Sequence, residues 1–126
     1  MSSKDTCLYL QDILDSIEKI QQYVAELTLS AFDDSPALQD AVARRLEIIG
    51  EVAKRLPVDF KEKYPQIPWR QISGMRDILI HEYAGVSIER IWKTVRDDLG
   101  PLLVVIREAL EKQTAEEKNH SSNDGD

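Results

Sequence analysis

The chain is short of cysteine and of uninterrupted apolar sequence, and each shortage argues against a class of protein. Its single cysteine, Cys7, cannot form a disulfide within the chain, which argues against a small disulfide-stabilised secreted domain. The longest uncharged apolar run, GPLLVVI at residues 100–106, is far too short to cross a bilayer. No basic segment followed by an apolar one opens the sequence, so we expect a cytoplasmic protein without a secretory signal.

Groups that hold metals or nucleotides are also scarce. The chain has only two histidines, and no cluster of histidine, cysteine and carboxylate residues has the spacing of a metal site. No glycine-rich loop of the kind that cradles phosphates is present. We therefore expect neither a metal nor any other cofactor.

Positive charge is in the minority, since 16 basic residues face 23 acidic ones and the net charge is −7. This balance argues against a broad nucleic-acid-binding surface, which needs lysine and arginine for its phosphate contacts. The distribution is uneven, however: residues 1–40 carry 2 basic and 8 acidic groups, residues 41–110 carry 12 and 10, and residues 111–126 carry 2 and 5. The mildly basic middle of the chain permits a local phosphate site.

Apolar residues at helical spacing are abundant and predict four main helices. They recur at steps of three and four over residues 10–27 and 36–56, then in a segment that Pro68 can open and in another that Ser87 can cap. An extra helical turn is predicted at residues 59–64. No strand pattern is found, so we predict an all-α fold, an antiparallel four-helix bundle with a short extra helical turn.

Several boundaries can also be read from the sequence. Ser35 is suited to cap the second helix, whose first position suits Pro36, and GP at residues 100–101 is expected to bend or interrupt the last helical segment. The end of the chain is polar, acidic and without periodicity. We therefore predict one domain over residues 1–114 and a disordered acidic tail over residues 115–126.

The second helix has more apolar residues than one neighbouring helix would cover. Ala41, Ile48 and Val52 lie beside its main apolar stripe and widen it. This surplus indicates a second contact, which another subunit of the same protein could provide.

The stretch RDILIHEY at residues 76–83 carries the candidate chemistry. Arg76 could grip a phosphate with two parallel hydrogen bonds, although a salt bridge at the surface is the commoner role of a single arginine. His81 could take or give a proton near neutral pH, although many helical histidines are simply packed or solvated. Asp77, one helical turn before His81, could accept a hydrogen bond from its ring and so fix the tautomer.

The spacing of this stretch restricts how the site can form. On a regular helix Arg76 and His81 lie about 140° apart, whereas Arg76 and Tyr83 lie within about 20° of one face. The arginine and histidine can converge only where the helix distorts or where another surface meets it. A two-fold partner would provide such a junction.

These residues resemble the HepT-like group of HEPN-domain proteins. Arg76, His81 and Tyr83 fit its pattern of an arginine, four residues, a histidine, any residue and a tyrosine. The resemblance extends to about residue 110 through YLQDILDSIEKI, RRLEIIGEVAKRLP, YPQIPWRQISGMRDILIHEYAGV and IWKTVRDDLGPLL. It implies an HEPN-like helical bundle that is a metal-independent endoribonuclease, the toxin of a type VII-like toxin–antitoxin system.

The resemblance also implies roles for individual residues. Arg76 and His81 of both subunits of a homodimer would form the catalytic site, with Asp77 in a supporting position where many relatives have asparagine. The ribose 2′-hydroxyl would attack the adjacent phosphate, with His81 as general base or acid and Arg76 stabilising the developing charge. Tyr83, which by itself reads as a packed tyrosine, would accept AMP from a cognate minimal nucleotidyltransferase, the antitoxin, and the modification would silence the site.

Other interpretations remain open at this stage. The chain could be a non-catalytic HEPN module that binds RNA or nucleotide or docks on a nucleotidyltransferase, or a purely structural helical dimer. Trp69 and Trp92 occupy helical apolar positions and are interpreted as core residues, and Arg44 and Arg45 as part of a solvated helix face.

Overall fold

The computed structural model describes residues 3–82 and 87–124. Within these ranges the side chains of Ser3, Ile78, Ile80, His81 and Glu82 and of residues 116–124 are not described. The described residues form helices, turns and loops without a strand, which confirms the predicted all-α class. No helix in the described part of the chain combines the length and apolar character needed to span a membrane.

Seven helices follow one another over the described residues. They are α1 (Ser3–Val24), α2 (Leu29–Asp33), α3 (Pro36–Arg55), α4 (Val58–Glu62), α5 (Trp69–Glu82), α6 (Ile88–Asp97) and α7 (Leu99–Asp124). The helix α1 packs against α3 and α7, while α3 also packs against α5, and α6 packs against α7. The short helices α2 and α4 lie at the connections between the long ones. The architecture is the predicted helical bundle with additional short helices.

The core consists of apolar side chains that point inward from every long helix. The residues with no exposed area are Leu10, Ile13, Ile17, Ile20, Phe32, Val42, Leu46, Ile49, Ala53, Leu102 and Ile106. Their spacing of three and four residues within each helix is the pattern that predicted the helices. Two contacts at opposite ends of α1 show that α7 runs antiparallel to it: Cys7 donates to the side-chain oxygen of Gln113, and Glu18 pairs with Arg107 at 3.7 Å.

Helix starts follow the predicted signals closely. Ser35 caps α3, its hydroxyl accepting from the amide of Leu38 at 3.4 Å, and Pro36 takes the first helical position. Ser87 caps α6 in the same way through the amide of Arg90 at 3.1 Å. These hydroxyls accept from amides of the first helical turn, which lack the regular helical partner four residues earlier. The amide of Arg90 also donates to the carbonyl oxygen of Ser87 at 3.1 Å.

The sequence did not predict α2, which lies between the first two predicted helices. Thr28 caps it, its hydroxyl accepting from Ala31 at 3.1 Å, and the helix buries Phe32 completely. The ring centroid of Phe32 lies 5.2 Å from that of Trp92. The guanidinium of Arg96 lies over the ring of the same tryptophan, 4.4 Å from its centroid. A five-residue helix shows no periodicity of its own, and its formation depends on the Thr28 cap and on tertiary contacts such as these. The side-chain amide of Gln39 in α3 also donates to the carbonyl oxygens of Phe32 and Asp33 at 2.9 Å.

Three boundaries differ from the predicted ones. The helix α1 begins earlier and ends at Val24, because Glu26 takes a left-handed φ of 63° that a helix cannot accommodate. The predicted interruption near Gly100 and Pro101 falls instead at Asp98, and Pro101 lies in the first turn of α7. Its missing N–H costs nothing there because that amide would lack a helical partner.

The end of the chain was predicted to be a disordered acidic tail after residue 114. The helix α7 has its last described residue at Asp124, and the side chains of residues 116–124 are not described. The division into a domain over residues 1–114 and a tail over residues 115–126 stays a prediction.

Candidate active site on the fifth helix

The helix α5 is anchored at its start and along its apolar face. The indole nitrogen of Trp69 donates to the carbonyl oxygen of Tyr64 at 3.0 Å, which fixes the first turn. Ile72 and Leu79 are only 3% and 2% exposed and hold the helix in the core. The polar residues of RDILIHEY that belong to α5 are therefore carried by a rigid element.

Arg76 is buried along its stem and exposed at its end. Its Nε atom is inaccessible to solvent and has no hydrogen-bond partner among the described residues, while the side chain as a whole is 35% exposed. One terminal nitrogen donates to Asp77 Oδ1 at 3.1 Å. The guanidinium therefore presents a charged, partly open end that could hold a phosphate.

The side chain of Asp77 contacts the guanidinium of Arg76. It is 55% exposed, and one of its carboxylate oxygens accepts from Arg76. The predicted contact with the His81 ring lies outside the described side chains. Asp77 is thus a neighbour of the arginine, and its role toward the histidine stays a prediction.

The described structure therefore brings together two of the four predicted residues. The backbone of His81 lies in the last turn of α5, but its side chain is not among those described. Tyr83 lies outside the described residues altogether. The convergence of Arg76 with His81, within one chain or across a dimer, stays a prediction.

Gly50, which the sequence analysis did not identify, packs against the backbone of Arg76. At Gly50 in α3, a Cβ atom would lie 3.1 Å from the backbone nitrogen of Arg76 and 3.2 Å from its Cβ. The two helices can approach this closely only because position 50 has no side chain. The available signal was a glycine in the middle of a strong helical pattern, which is costly unless packing requires it.

A groove of about 420 Å³ lies between α5 and α6, and Arg76 is not among the residues that line it. Ile72, Met75, Leu79 and Ile91 supply its apolar lining, and its polar lining comes from Gln71, Arg90, Lys93, Thr94 and Asp98. Burial raises the pKa of Asp98, the negative charge of Asp97 raises it further, and Lys93 lowers it in part. Two cations and one carboxylate make the groove nearly balanced in charge.

The remaining candidates have structural roles. Trp69 and Trp92 are partly buried against the core, as interpreted from the sequence. Arg44 is exposed and pairs with Glu47 at 3.1 Å, one helical turn away. No group of three or more histidine, cysteine or carboxylate residues that could hold a metal ion occurs among the residues that were searched, which are the described ones.

Comparison with known proteins gives a consistent result. A family model described as Ribonuclease HepT-like matches residues 13–109, a span that includes the whole of RDILIHEY. The chain is 47% identical over 94 residues to a protein of Thermococcus cleftensis named "Probable ribonuclease HepT", which covers 75% of this chain and 86% of that protein. It is 42% identical over 105 residues to a "Putative RNase" of Caldanaerobacter subterraneus subsp. tengcongensis, covering 83% and 94% of the two chains.

A longer relative also matches. A Methanocaldococcus jannaschii protein named "Gamma-glutamylcyclotransferase and putative RNase" is 47% identical over 112 residues. The match takes in 86% of this chain but spans only half the length of that relative. No solved structure matches the chain.

Proposed function

The chain belongs to the HepT-like ribonuclease family, and from this premise we propose that it is a metal-independent endoribonuclease that acts as the toxin of a type VII-like toxin–antitoxin system. The observation that carries the proposal is the family match over residues 13–109, which includes Arg76 and His81. The side chain of Arg76, which is 35% exposed and lies on a rigid helix, supports it. Its substrate is RNA in the cytoplasm.

The proposed reaction uses the substrate's own ribose as nucleophile. His81 takes the proton of the 2′-hydroxyl, whose oxygen forms a bond to phosphorus while the bond from phosphorus to the 5′-oxygen breaks. A second acid protonates the leaving 5′-oxygen, so the products are a 2′,3′-cyclic phosphate and a 5′-hydroxyl. Arg76 binds the phosphate and stabilises the extra negative charge of the transition state.

We propose that the second acid is His81 of the partner in a homodimer. One histidine cannot be both deprotonated and protonated at the start of the same turnover, so two copies divide the roles. A two-fold axis beside α5 would bring both copies of Arg76 and His81 into one pocket, which a single helix with about 140° between the two residues does not do. The widened apolar stripe of α3 does not add to this argument, because α3 packs against both α1 and α5 and Val52 is already buried at 7% exposure within the same chain.

Control of the enzyme is proposed to act through Tyr83. Its hydroxyl oxygen attacks the α-phosphorus of ATP bound by a cognate minimal nucleotidyltransferase, pyrophosphate leaves, and AMP stays on the tyrosine. The attached phosphodiester carries a negative charge that competes with RNA for the guanidinium of Arg76. The toxin is thereby neutralised by its antitoxin.

The decisive experiment is cleavage of RNA in the presence of EDTA. We expect the wild-type protein to cleave, and Arg76→Ala and His81→Ala to lose at least about 100-fold of the rate, since each removes a principal catalytic interaction. Size-exclusion chromatography with light scattering first shows that both variants keep the oligomeric state of the wild type.

Substrate analogues give an independent control. An oligonucleotide with a 2′-deoxyribose at the cleaved position should resist the enzyme, because the attacking hydroxyl is missing. Equal cleavage by all three proteins would reveal a contaminating nuclease and contradict the proposal. RNA binding without cleavage by the wild type would favour the non-catalytic HEPN module instead.

A further inference from the structure

The helix α3 lies very close to the backbone of α5 at Gly50. A Cβ atom built there would lie 2.8 Å from the carbonyl oxygen of Ile72, 3.1 Å from the backbone nitrogen of Arg76 and 3.2 Å from its Cβ. Two of these three atoms belong to the backbone of α5, so no side-chain rotation can move them away. A larger residue at position 50 must displace the helix that carries Arg76.

Local preference does not explain a glycine at this position. Gly50 lies well inside the 20-residue helix α3, where glycine is among the poorest helix formers and alanine the best. A second helical glycine, Gly74 in α5, provides a contrast, because a Cβ atom there would meet nothing within 4 Å. The two positions therefore differ in packing and not in helical context.

We propose that Gly50 is a positioning residue for Arg76, setting how deeply α5 sits on α3 and therefore where the guanidinium ends. The inference rests on the proposed function, in which this guanidinium binds the cleaved phosphate. The buried Nε and the exposed terminal nitrogens of Arg76 support it, since a side chain held along its stem follows any shift of its backbone.

The test compares two identical substitutions. Gly50→Ala should lower kcat for RNA cleavage on the order of 10-fold to 100-fold with a smaller change in KM, because a displacement below 1 Å is enough to misalign a transition-state contact. Gly74→Ala, two residues before Arg76, should keep the wild-type kcat and raise Tm by about 3 °C, because alanine favours helix and nothing obstructs it.

A second measurement does not depend on activity. The buried Nε–H of Arg76 should give a solvent-protected side-chain signal in NMR spectra, assigned by its disappearance in Arg76→Lys. Gly50→Ala should shift this signal or speed its hydrogen exchange, while Gly74→Ala leaves it unchanged. The core substitution Ile17→Val in α1 provides a destabilised control that does not touch Arg76 and should also leave the signal unchanged.

The double variant Gly50→Ala, Gly74→Ala guards against simple loss of folding, since the second change restores helix stability without relieving the contact at position 50. It should fold, as judged by circular dichroism, and still show the low kcat and the altered Arg76 signal. An unaltered Arg76 signal in Gly50→Ala, or an equal alteration in Gly74→Ala, would overturn the inference. If the signal changes as expected but the wild type cleaves no RNA, the proposed function fails while the positioning by Gly50 stands.

Discussion

Arg76 donates a hydrogen bond from a terminal guanidinium nitrogen to the carboxylate of Asp77 at 3.1 Å, although the two residues are adjacent in sequence and both are partly exposed. A bound phosphate must therefore share the arginine with a carboxylate or displace it. In an exposed pair the attraction is worth about 1 kcal/mol or less, so displacement is feasible. The pair would reduce affinity for RNA modestly without blocking the site.

The substitution Asp77→Asn separates the charge of this residue from its hydrogen bonding. We expect RNA to bind about 2-fold to 5-fold more tightly, because the substitution removes the attraction between Asp77 and Arg76, worth about 1 kcal/mol or less, that competes with the phosphate. The kcat should stay near that of the wild type, since the amide oxygen can still accept from the ring of His81. Binding and single-turnover cleavage at two salt concentrations measure both quantities.

Asp77→Ala is the matched variant that removes both properties. It should show the same gain in affinity but a kcat lowered on the order of 10-fold, because the imidazole loses the group that fixes its tautomer. If Asp77→Ala keeps the full kcat, Asp77 serves only Arg76, and the predicted contact with His81 is wrong.

Modification of Tyr83 can be followed by intact mass. When the protein is produced together with a cognate nucleotidyltransferase, we expect its mass to increase in units of AMP and its RNA cleavage to fall, because the added phosphodiester opposes binding of RNA to Arg76. Tyr83→Phe lacks the accepting hydroxyl and should stay unmodified and active under the same conditions. Tyr9, Tyr23 and Tyr64 remain in that variant, so persistence of the mass increase would place the modification elsewhere.

The cap at Ser87 makes a measurable contribution to stability. Its hydroxyl accepts from the amide of Arg90 at 3.1 Å, and Ser87→Ala leaves that amide without this partner. The free energy of unfolding should fall by about 1 kcal/mol with an unchanged urea m-value. Ser30→Ala, at an exposed position inside a helix, is the control and should change stability by less than about 0.5 kcal/mol. Equal losses in both variants would contradict a specific capping role.

Asp98 should make stability depend on pH. Burial raises its pKa in the folded protein above the ordinary value of 3.8, so ionisation of this carboxyl opposes folding. Its favourable contribution is complete below the unfolded pKa and is lost as the pH rises through the folded pKa. Asp98→Asn, which stays neutral and still suits a helix start, should therefore raise Tm at pH 7 and lose that advantage below about pH 4.

Asp97→Asn is the matched control for this effect, because it changes the net charge of the chain by the same amount at an exposed neighbouring position. Its increase in Tm at pH 7 should be smaller than that of Asp98→Asn. It removes the negative charge of Asp97, which is the smaller of the two causes that raise the pKa of Asp98, and leaves the burial of Asp98 unchanged. An equal increase in Tm for Asp98→Asn at pH 3.5 and at pH 7 would contradict the ionisation of buried Asp98 as the cause of the effect.

The sequence by itself determined the class of fold and the position of most long helices. Apolar residues three and four apart identified the buried faces, and Ser35, Pro36 and Ser87 marked helix starts, because capping and periodicity act within one or two helical turns. It also identified Arg76 and His81 as candidates, since their chemistry belongs to the residue types and their pattern is that of a family.

Only the tertiary structure decided what these residues meet. The burial of Phe32 against Trp92 and the close contact of Gly50 with the backbone of α5 both depend on groups far apart in sequence, whose arrangement no local pattern contains. Periodicity shows which face of a helix is buried, but it does not give the depth or the rotation at which two helices pack. That depth is set by the one position where α3 lacks a side chain, and it determines where the guanidinium of Arg76 ends.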